Sequence, residues 1–225
     1  MIEFDWDWAF AWEVLPLLLD ACLITLQATL LGSMLAIVMG LLLALLRRSR
    51  WKTVSYSAYW WMEFVRSTPL LVQIYFLYYV APEWGLNMSP MMTGVIALGM
   101  HYGAYLSEVF RSGIDGVGKG QWEASIALNL SPYRTYRDVI LPQALRSMIP
   151  ASGNYIIAMF KETPQLSAIT LLEMLQLAKI MGSENFRYLE PFTLVGLIYL
   201  VLSLAASTGI RLAERRFPKE GFTLS

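Results

Sequence analysis

The side chains that could carry out acid–base chemistry are few and lie in apolar sequence. His101, the only histidine, lies within hydrophobic stretches together with Glu108, Lys161 and Glu162. One histidine and one cysteine, Cys22, cannot supply the clustered nitrogen and sulfur ligands of a zinc site or an internal disulfide. The sequence also lacks a GxSxG motif or a comparable nucleophile motif. These residues argue against an enzyme, and we expect Cys22 to pack as a small hydrophobic residue.

Residues 113–120, GIDGVGKG, come close to the phosphate-binding loop G-x4-G-K-[ST]. That loop needs a Ser or Thr after the lysine to hold Mg²⁺, and it follows a buried strand. Here Gly120 follows Lys119, and the segment follows a hydrophobic stretch. We therefore expect this chain to carry no ATP, metal or other cofactor, and we expect the glycines to let the chain turn.

The composition indicates a membrane protein. Of the 225 residues, 56% are hydrophobic and 15% are charged, which is too apolar for an ordinary soluble domain. The net charge is zero, so no overall field attracts nucleic acid. A helix needs about 20 mostly apolar residues to cross the bilayer, and five stretches qualify, at about Val14–Leu46, Val54–Val80, Met91–Phe110, Met148–Leu172 and Phe192–Leu212. The sequence predicts an all-α polytopic membrane protein with five transmembrane helices in one domain, residues 1–225.

The positions of Lys and Arg predict the orientation of these spans. Thirteen of the 17 lie in residues 47–52, 111–147 and 211–219, and five spans place these segments on one side of the membrane. Lys- and Arg-rich connections favour the cytoplasm. The start of the chain, MIEFDWDWAFAWE, is acidic and unlike a signal peptide. We therefore expect a retained first span, an outside N-terminus, a cytoplasmic C-terminus and a large cytoplasmic loop at about 113–147.

Polar side chains within the predicted spans suit a solute pathway, because an ionisable group there costs at least about 2.5 kcal/mol and should face a cavity, a partner or the interface. Glu63 and Arg66 are three residues apart, which places them on one helical face where they can pair. For this pair a structural or gating role is favoured over contact with solute. The candidates for a translocation path or gate are Glu63, Arg66, Gln73, Tyr105, Glu108, Asn154, Lys161, Glu162 and Thr163.

The sequence Lys161-Glu162-Thr163-Pro164 predicts a local break in the fourth span. Adjacent charges cannot share one helical face, and Pro164 frees a backbone carbonyl. Transporters often place solute at such a break. Ordinary helix packing is the alternative interpretation of these residues.

Residues 121–142, QWEASIALNLSPYRTYRDVILP, predict a helix, a tight turn and a second helix in the cytoplasmic loop. Asn129 can end the first helix because asparagine tolerates positive φ. Ser131 can cap the second helix, with Pro132 at its first position. We expect Pro142 to stop or bend this helix before the next span. From these residues alone, the segment could dock into a groove on a partner or lie on the lipid interface.

The same segment resembles the EAA signature of ABC-importer permeases, which reads Glu-Ala-Ala, three residues, Gly, nine residues, Ile, any residue, Leu-Pro. The spacing is identical, and three positions depart, with Ser for Ala, Asn for Gly and Val for Ile. Asparagine is the next-best residue for a positive-φ turn, so that departure is compatible with the signature. The signature falls on Glu123, Ala124, Ser125, Asn129, Val139, Leu141 and Pro142.

Other stretches resemble permeases of the polar-amino-acid family. Residues 66–73, RSTPLLVQ, are similar to an RGTPLLVQ stretch of that family, and residues 154–169, NYIIAMFKETPQLSAI, are similar to its fourth-span motif. Within the family, KETP and the ALNL turn most resemble ectoine and hydroxyectoine permeases. The resemblance implies the ABC type I importer permease fold and a small zwitterionic solute, with ectoine or hydroxyectoine first and a polar amino acid second. Tyr75, Tyr78, Tyr102, Tyr105 and Phe160 could contact its cationic side, although packing is their commoner role.

The resemblance also implies partners. Two such permeases, identical or related, form the pore in a bacterial inner membrane, an extracytoplasmic binding protein delivers solute, and a cytoplasmic ATPase subunit binds ATP and magnesium. Each permease docks its EAA helices on the ATPase, whose closure alternates access to the pore. A passive channel remains the alternative from the residues alone. The implied coupling residues are Glu123, Ala124, Ser125, Asn129, Ser131, Pro132, Leu141 and Pro142.

Overall fold

The structure is a computed structural model that describes residues 5–216, and within this range every regular element is helical. Residues 1–4 and 217–225 lie outside the described residues, and so does Lys219 of the predicted cytoplasmic tail. In chain order the α-helices are α1 (Trp8–Arg47), α2 (Lys52–Ser67), α3 (Leu70–Tyr75), α4 (Pro90–Asp115), α5 (Lys119–Ala127), α6 (Pro132–Arg134), α7 (Leu141–Glu162), α8 (Met174–Asn185) and α9 (Leu189–Arg216).

Helices α1 and α4 form the centre of the fold, and glycines let their backbones approach closely. A Cβ added at Gly40 of α1 would lie 2.9 Å from the Cβ of Leu106 and 3.1 Å from the carbonyl oxygen of Gly103, both on α4. A Cβ added at Gly99 of α4 would lie 2.6 Å from the side chain of Leu35. Interfaces between membrane helices are enriched in small residues, which let the helix backbones approach closely.

The remaining helices cover this pair on two sides. Helix α7 packs on α4 and α9, and α8 packs on α1 and α9. One apolar cluster joins Leu98 and Leu106 of α4 to Met159 of α7. A second cluster lies near the start of α1, where Leu18 meets Met174 of α8. The outer faces of α1, α2, α3 and α9 carry exposed apolar side chains, as expected for a protein in lipid.

The second predicted span, Val54–Val80, is wrong as one continuous helix. Helix α2 ends at Ser67, and Thr68 is extended with φ −108° and ψ 138°. Thr68 precedes Pro69, and the residue before a proline is disfavoured in the α conformation. The chain resumes as α3, continues as a π-helix over Phe76–Val80 and ends in a 3₁₀ turn over Ala81–Trp84.

The prediction that Pro142 stops the helix is wrong, and the alternative that it bends the helix stays a prediction. A π-helical stretch, Thr135–Ile140, connects α6 directly to α7. In it the backbone N–H of Leu141 donates to the carbonyl of Tyr136, five residues earlier. The register shift lets Pro142 occupy the first turn of α7, where a missing N–H is tolerated.

The fourth span breaks where Lys161-Glu162-Thr163-Pro164 predicts a break. Helix α7 ends at Glu162, a 3₁₀ segment covers Thr163–Ile169, and Thr170 has φ 62°. Helix α8 follows, in the stretch between the fourth and fifth predicted spans. Glu173 caps it, since its carboxylate accepts from two backbone N–H groups of the first turn.

Among the described residues, α1 and the Leu189–Glu214 part of α9 are long and apolar enough to cross a membrane. The helices over Pro132–Ile169 and Met174–Asn185, bent by 49° relative to each other, form a third candidate. The second and third predicted spans lie in α2–α3 and α4, which carry more polar side chains. The count of five spans therefore stays a prediction.

Candidate functional site

The helix–turn–helix segment, residues 119–142, contains the turn that the sequence predicts. Asn129 has φ 52°. Its backbone N–H donates to the carbonyl of Ile126 at 2.8 Å, and the N–H of Leu130 donates to the carbonyl of Ser125 at 3.0 Å. These two bonds form a Schellman motif, which ends a helix when one residue adopts the left-handed conformation. The predicted positive φ at Asn129 is confirmed.

The start of the second helix is confirmed as well. The Ser131 side chain accepts a hydrogen bond from the Arg134 N–H at 3.4 Å, and Pro132 follows at the first helical position. A serine cap followed by proline is the favoured beginning of a helix because it satisfies one free N–H and needs no donor at the next residue. The turn therefore leaves little freedom between Asn129 and Arg134.

A small core attaches the segment to the end of α4. Ile140 is fully buried and packs in one cluster with Ile114 of α4 and Val117 of the turn after it. Trp122 of the first helix meets Tyr136 of the second edge to face, with ring centroids 5.4 Å apart. These contacts hold the two short helices together.

Ser125, which departs from the signature, fits this core. Its side chain is buried, and its hydroxyl donates to the carbonyl of Gln121 at 2.8 Å. A buried hydroxyl costs little when it forms a hydrogen bond. The serine therefore replaces alanine without an unpaired polar group.

The tip of the segment exposes apolar side chains. Ile126, Leu128 and Tyr133 are 77%, 72% and 70% exposed, and Glu123 and Ala124 beside them are exposed too. Exposed apolar side chains that lie near one another are typical of interaction surfaces. Of the other signature residues, Leu141 and Pro142 lie at the start of α7, away from the turn, and both are exposed.

Ion pairs join the end of α4, which precedes the segment, to the turn after α1. Asp115 at the end of α4 pairs with Arg48 and, at 3.1 Å, with Arg111, which also pairs with Glu108 at 2.6 Å. Partial burial lowers the pKa of Arg48, but the side chains of Asp115 and Tyr136 outweigh this effect and raise it. Arg48 therefore stays charged beside the segment.

The near-match to a phosphate-binding loop is divided between two helices. Residues 113–115 form the end of α4, and Lys119 and Gly120 begin α5. The backbone N–H groups of residues 113–115 are therefore used within α4, whereas those of Lys119 and Gly120 lie in the first turn of α5. This arrangement differs from a loop that wraps a phosphate.

Several candidate path residues meet around His101 on α4. The Gln73 amide nitrogen donates to the carbonyl of Val65 at 2.7 Å and to the Thr68 hydroxyl at 2.7 Å, while its oxygen lies 3.2 Å from the Nδ1 atom of His101. Gln73 thus satisfies backbone groups at the break between α2 and α3. The ring of His101 lies 5.3 Å from that of Tyr105.

Tyrosine rings extend this cluster towards the end of α7. Tyr105 stacks on Tyr155 with centroids 5.5 Å apart, and the Tyr102 hydroxyl donates to the carboxylate of Glu162 at 2.9 Å. Tyr155 is a member that the sequence analysis missed, because nothing in its local sequence distinguishes it from a packing residue. The cluster combines aromatic faces with one carboxylate, which suits a small cationic group.

The other candidates lie apart from this cluster. Glu63 and Arg66 form the predicted ion pair on α2, and Glu108 forms its pair with Arg111 nearer the end of α4. Asn154 and Lys161 are exposed on α7. Within the described residues, neither side chain has a hydrogen-bond partner.

Thr163 is buried rather than open to a pathway. Its hydroxyl donates to the carbonyl of Phe160 at 2.7 Å and lies 2.9 Å from the Tyr199 hydroxyl. Glu173 and Tyr199, which surround it, were not identified from the sequence. The local sequence indicates a role only for Glu173, as an acidic residue immediately before the apolar start of α8.

Comparisons with known proteins agree with this architecture. Residues 36–219 match the family model described as binding-protein-dependent transport system inner membrane component. The chain is 46% identical, over 98% of both chains, to a probable amino-acid ABC transporter permease protein, y4tG, of Sinorhizobium fredii. It is 34% identical to the glutamine transport system permease protein GlnP of Escherichia coli, covering 94% of this chain and 98% of that one.

Solved structures give the same result. A crystal structure of an amino acid ABC transporter with histidines covers 95% of this chain and 100% of its own, with 35% identity and a TM-score of 0.89. The MetNI methionine ABC transporter in an inward-facing conformation shares the fold at 16% identity and a TM-score of 0.78. The ABC importer permease fold is thus confirmed, and the chain belongs to the family of inner membrane components of binding-protein-dependent transport systems, the permease subunits of ABC importers.

Proposed function

We propose that this permease subunit lines the import path for a polar amino acid and couples it to a separate ATPase through residues 119–142. The observation that carries the proposal is the exposed tip of that segment. Its turn is fixed by two backbone hydrogen bonds at Asn129, and its base is packed on α4. A rigid tip with exposed apolar side chains is suited to insertion in a groove of another subunit.

The topology that accompanies this proposal has five spans. Helices α1, α4 and α9 each form one span, α2 with α3 forms another, and α7 with the 3₁₀ segment forms the last. The Lys and Arg distribution favours a cytoplasmic location for residues 111–147 and an outer location for α8. The tip of the segment then faces the compartment that holds ATP.

The partners follow from this arrangement. The cytoplasmic ATPase binds ATP and magnesium and performs hydrolysis, so this chain is the non-catalytic subunit. An extracytoplasmic binding protein delivers solute, and a second permease, identical or related, completes the pore. The exposed aromatic side chains of Trp60, Phe64 and Phe76 lie on faces available to lipid or to that second permease.

The solute is a small zwitterion, and a polar amino acid is the better supported choice. One relative is named for glutamine and another, 34% identical over 90% of this chain, for nopaline in Agrobacterium fabrum. The tyrosine cluster with Glu162 offers a place for an ammonium group, and exposed Lys161 offers a charge for a carboxylate. Ectoine, which rests only on the KETP and ALNL resemblance, is the second candidate.

The proposal is tested by reconstitution. The chain is co-expressed with its ATPase, and the complex is placed in proteoliposomes with the binding protein outside. Radiolabelled L-glutamine, L-arginine and ectoine are offered with and without internal ATP. We expect uptake of one solute that needs ATP, the ATPase and the binding protein. Uptake without nucleotide or ATPase would instead support a passive channel.

A further inference from the structure

A buried cluster of polar side chains joins four elements at the break in α7. Its members are Thr25 of α1, Thr163 of the 3₁₀ segment, Glu173 before α8 and Tyr199 of α9, here called the Glu173 cluster. Thr25, Thr163 and Glu173 are each 0% exposed. Buried polar groups are retained only with partners, since each unpaired one costs free energy.

The break itself supplies the first partners. Pro164 has no N–H, so it cannot donate to the carbonyl of Phe160 as the next helical residue would. Thr163 donates to that carbonyl instead, through both its backbone N–H and its hydroxyl, the latter at 2.7 Å. The same hydroxyl lies 2.9 Å from the hydroxyl of Tyr199. This contact between two hydroxyl groups ties the end of α7 to α9.

Glu173 extends the tie to α8. Its two carboxylate oxygens accept from the backbone N–H groups of Leu175 at 3.0 Å and Gln176 at 2.8 Å. One of these oxygens also lies 3.4 Å from the Tyr199 hydroxyl. Asp, Asn, Ser and Thr are the preferred caps, so capping alone does not call for a fully buried glutamate. The extra methylene group lets the capping carboxylate reach Tyr199.

Helix α1 closes the cluster. The N–H of Met174, the first residue of α8, donates to the Thr25 hydroxyl at 3.4 Å. The ring of Tyr199 also packs on Phe160, with centroids 4.9 Å apart. The end of α7, the 3₁₀ segment and the start of α8 are thus held against α1 and α9.

We propose that Glu173 and Tyr199 are positioning residues for the import path, acting through Thr163 on the last turn of α7. This inference rests on the proposed function. Lys161 and Glu162 immediately precede Thr163, and neither belongs to the cluster. Lys161 is exposed, and Glu162 accepts from Tyr102. A fixed Thr163 therefore determines where Glu162 lies beside the tyrosine rings and where the adjacent, exposed Lys161 is held.

The test uses a reporter at the end of α7 that reads position without transport. Cys22 is the only cysteine, so a Cys22→Ala, Lys161→Cys chain carries one reactive thiol. The assembled complex in membrane vesicles is labelled with a charged methanethiosulfonate reagent, and the labelling rate is measured. Tyr199→Phe removes the hydroxyl but keeps the ring, and Glu173→Asp keeps a capping carboxylate that is too short for Tyr199. Tyr188→Phe, the same substitution at an exposed tyrosine, is the control.

We expect Tyr199→Phe and Glu173→Asp to change the labelling rate at least threefold, while Tyr188→Phe leaves it unchanged. Rates within threefold of the control in both variants would overturn the proposal. A change in only one variant would remove the other residue from the positioning role. If Glu173→Asp does not assemble, Tyr199→Phe alone decides, because it preserves the packing on Phe160.

A second measurement separates positioning from general stability. In the chain with native Lys161, we expect Tyr199→Phe to raise the KM for uptake of the transported solute at least threefold and to leave the maximal rate within twofold. An unchanged KM would count against the proposal. If the parent complex shows no ATP-dependent uptake at all, the proposed function fails, but the labelling experiment still tests the role of the cluster.

Discussion

The turn at Asn129 makes the proposed coupling surface directly testable. Asn129 has φ 52°, a conformation that costs most L-residues about 1–2 kcal/mol relative to the right-handed region. A β-branched residue resists positive φ most strongly. Asn129→Val should therefore destabilise the turn by at least about that amount, whereas Asn129→Gly should be tolerated because glycine adopts positive φ freely.

The two hydrogen bonds of the Schellman motif connect the stability of the turn to docking on the ATPase. They join Asn129 to Ile126 and Leu130 to Ser125, and they set the angle between the exposed tip and the helix that starts at Pro132. A destabilisation of about 1–2 kcal/mol shifts the equilibrium between the ordered and disordered turn roughly five- to thirtyfold. Because docking requires the ordered turn, the apparent affinity for the ATPase falls by up to the same factor.

The assay titrates purified ATPase subunit against permease in proteoliposomes and records the solute-stimulated hydrolysis of ATP. We expect a higher half-saturating ATPase concentration for Asn129→Val than for Asn129→Gly, by up to roughly five- to thirtyfold, and Asn129→Gly should match the parent. Asn87→Val, at an exposed loop residue outside the positive-φ set, is the matched control. Equal half-saturation for the Val and Gly variants would refute the claim that this turn orders the docking surface.

Three further predictions concern the tip of the segment and the helix core. Glu123→Lys reverses an exposed charge on the tip and should abolish ATPase coupling and transport without preventing membrane insertion; normal solute-stimulated ATPase activity would contradict it. Ile126→Ser removes an exposed apolar side chain and should reduce co-purification of the ATPase while the melting temperature of the isolated permease stays the same; full retention of the ATPase would count against docking. Gly40→Ala places a methyl group 2.9 Å from the Leu106 Cβ and should destabilise the permease by about 1–3 kcal/mol; Gly196→Ala, where the described residues leave open space within 4 Å, should not, and equal melting temperatures would refute the packing argument.

The features predictable from sequence were those set by neighbouring residues. The positive φ of Asn129 and the cap at Ser131 follow from residue types within one turn of the chain, because the hydrogen bonds of caps and turns join residues that are close in sequence. The break after Glu162 was predictable for the same reason, since Pro164 removes a donor wherever it is placed in a helix.

Features that depend on tertiary contacts were missed. The apolar composition of Val54–Val80 indicates one continuous span. Pro69 alone does not predict the break at Thr68, because a proline within a membrane span often produces a kink and not an interruption. Helix α8 is too short to register as a span, and it is held by a carboxylate whose partner Tyr199 lies 26 residues further along the chain. Spacing within the sequence does not reveal such a contact.

The corrected position of Pro142 changes how the two proposed sites are related. An interrupted helix would have separated the docking segment from the membrane. Instead, the chain is helical without interruption from Pro132 to Glu162. The helix therefore starts beside the exposed tip and ends beside the tyrosine cluster, a length of about 45 Å at the rise of an α-helix.

This continuous helix provides a physical route for the proposed coupling. One end of the helix is fixed by the contacts of Thr163 with Phe160 and Tyr199, and the other end begins at the turn that carries the proposed docking surface. A displacement applied at Ser131 reaches Glu162 through one hydrogen-bonded element rather than across a flexible loop. The π-helical stretch Thr135–Ile140 is the place in this element where the α-helical hydrogen-bond pattern changes. A π-helical turn within a helix is frequently found at a functional site. In the proposed function, one helix thus connects the docking surface to the solute path, and the change in its hydrogen-bond pattern lies next to the docking surface.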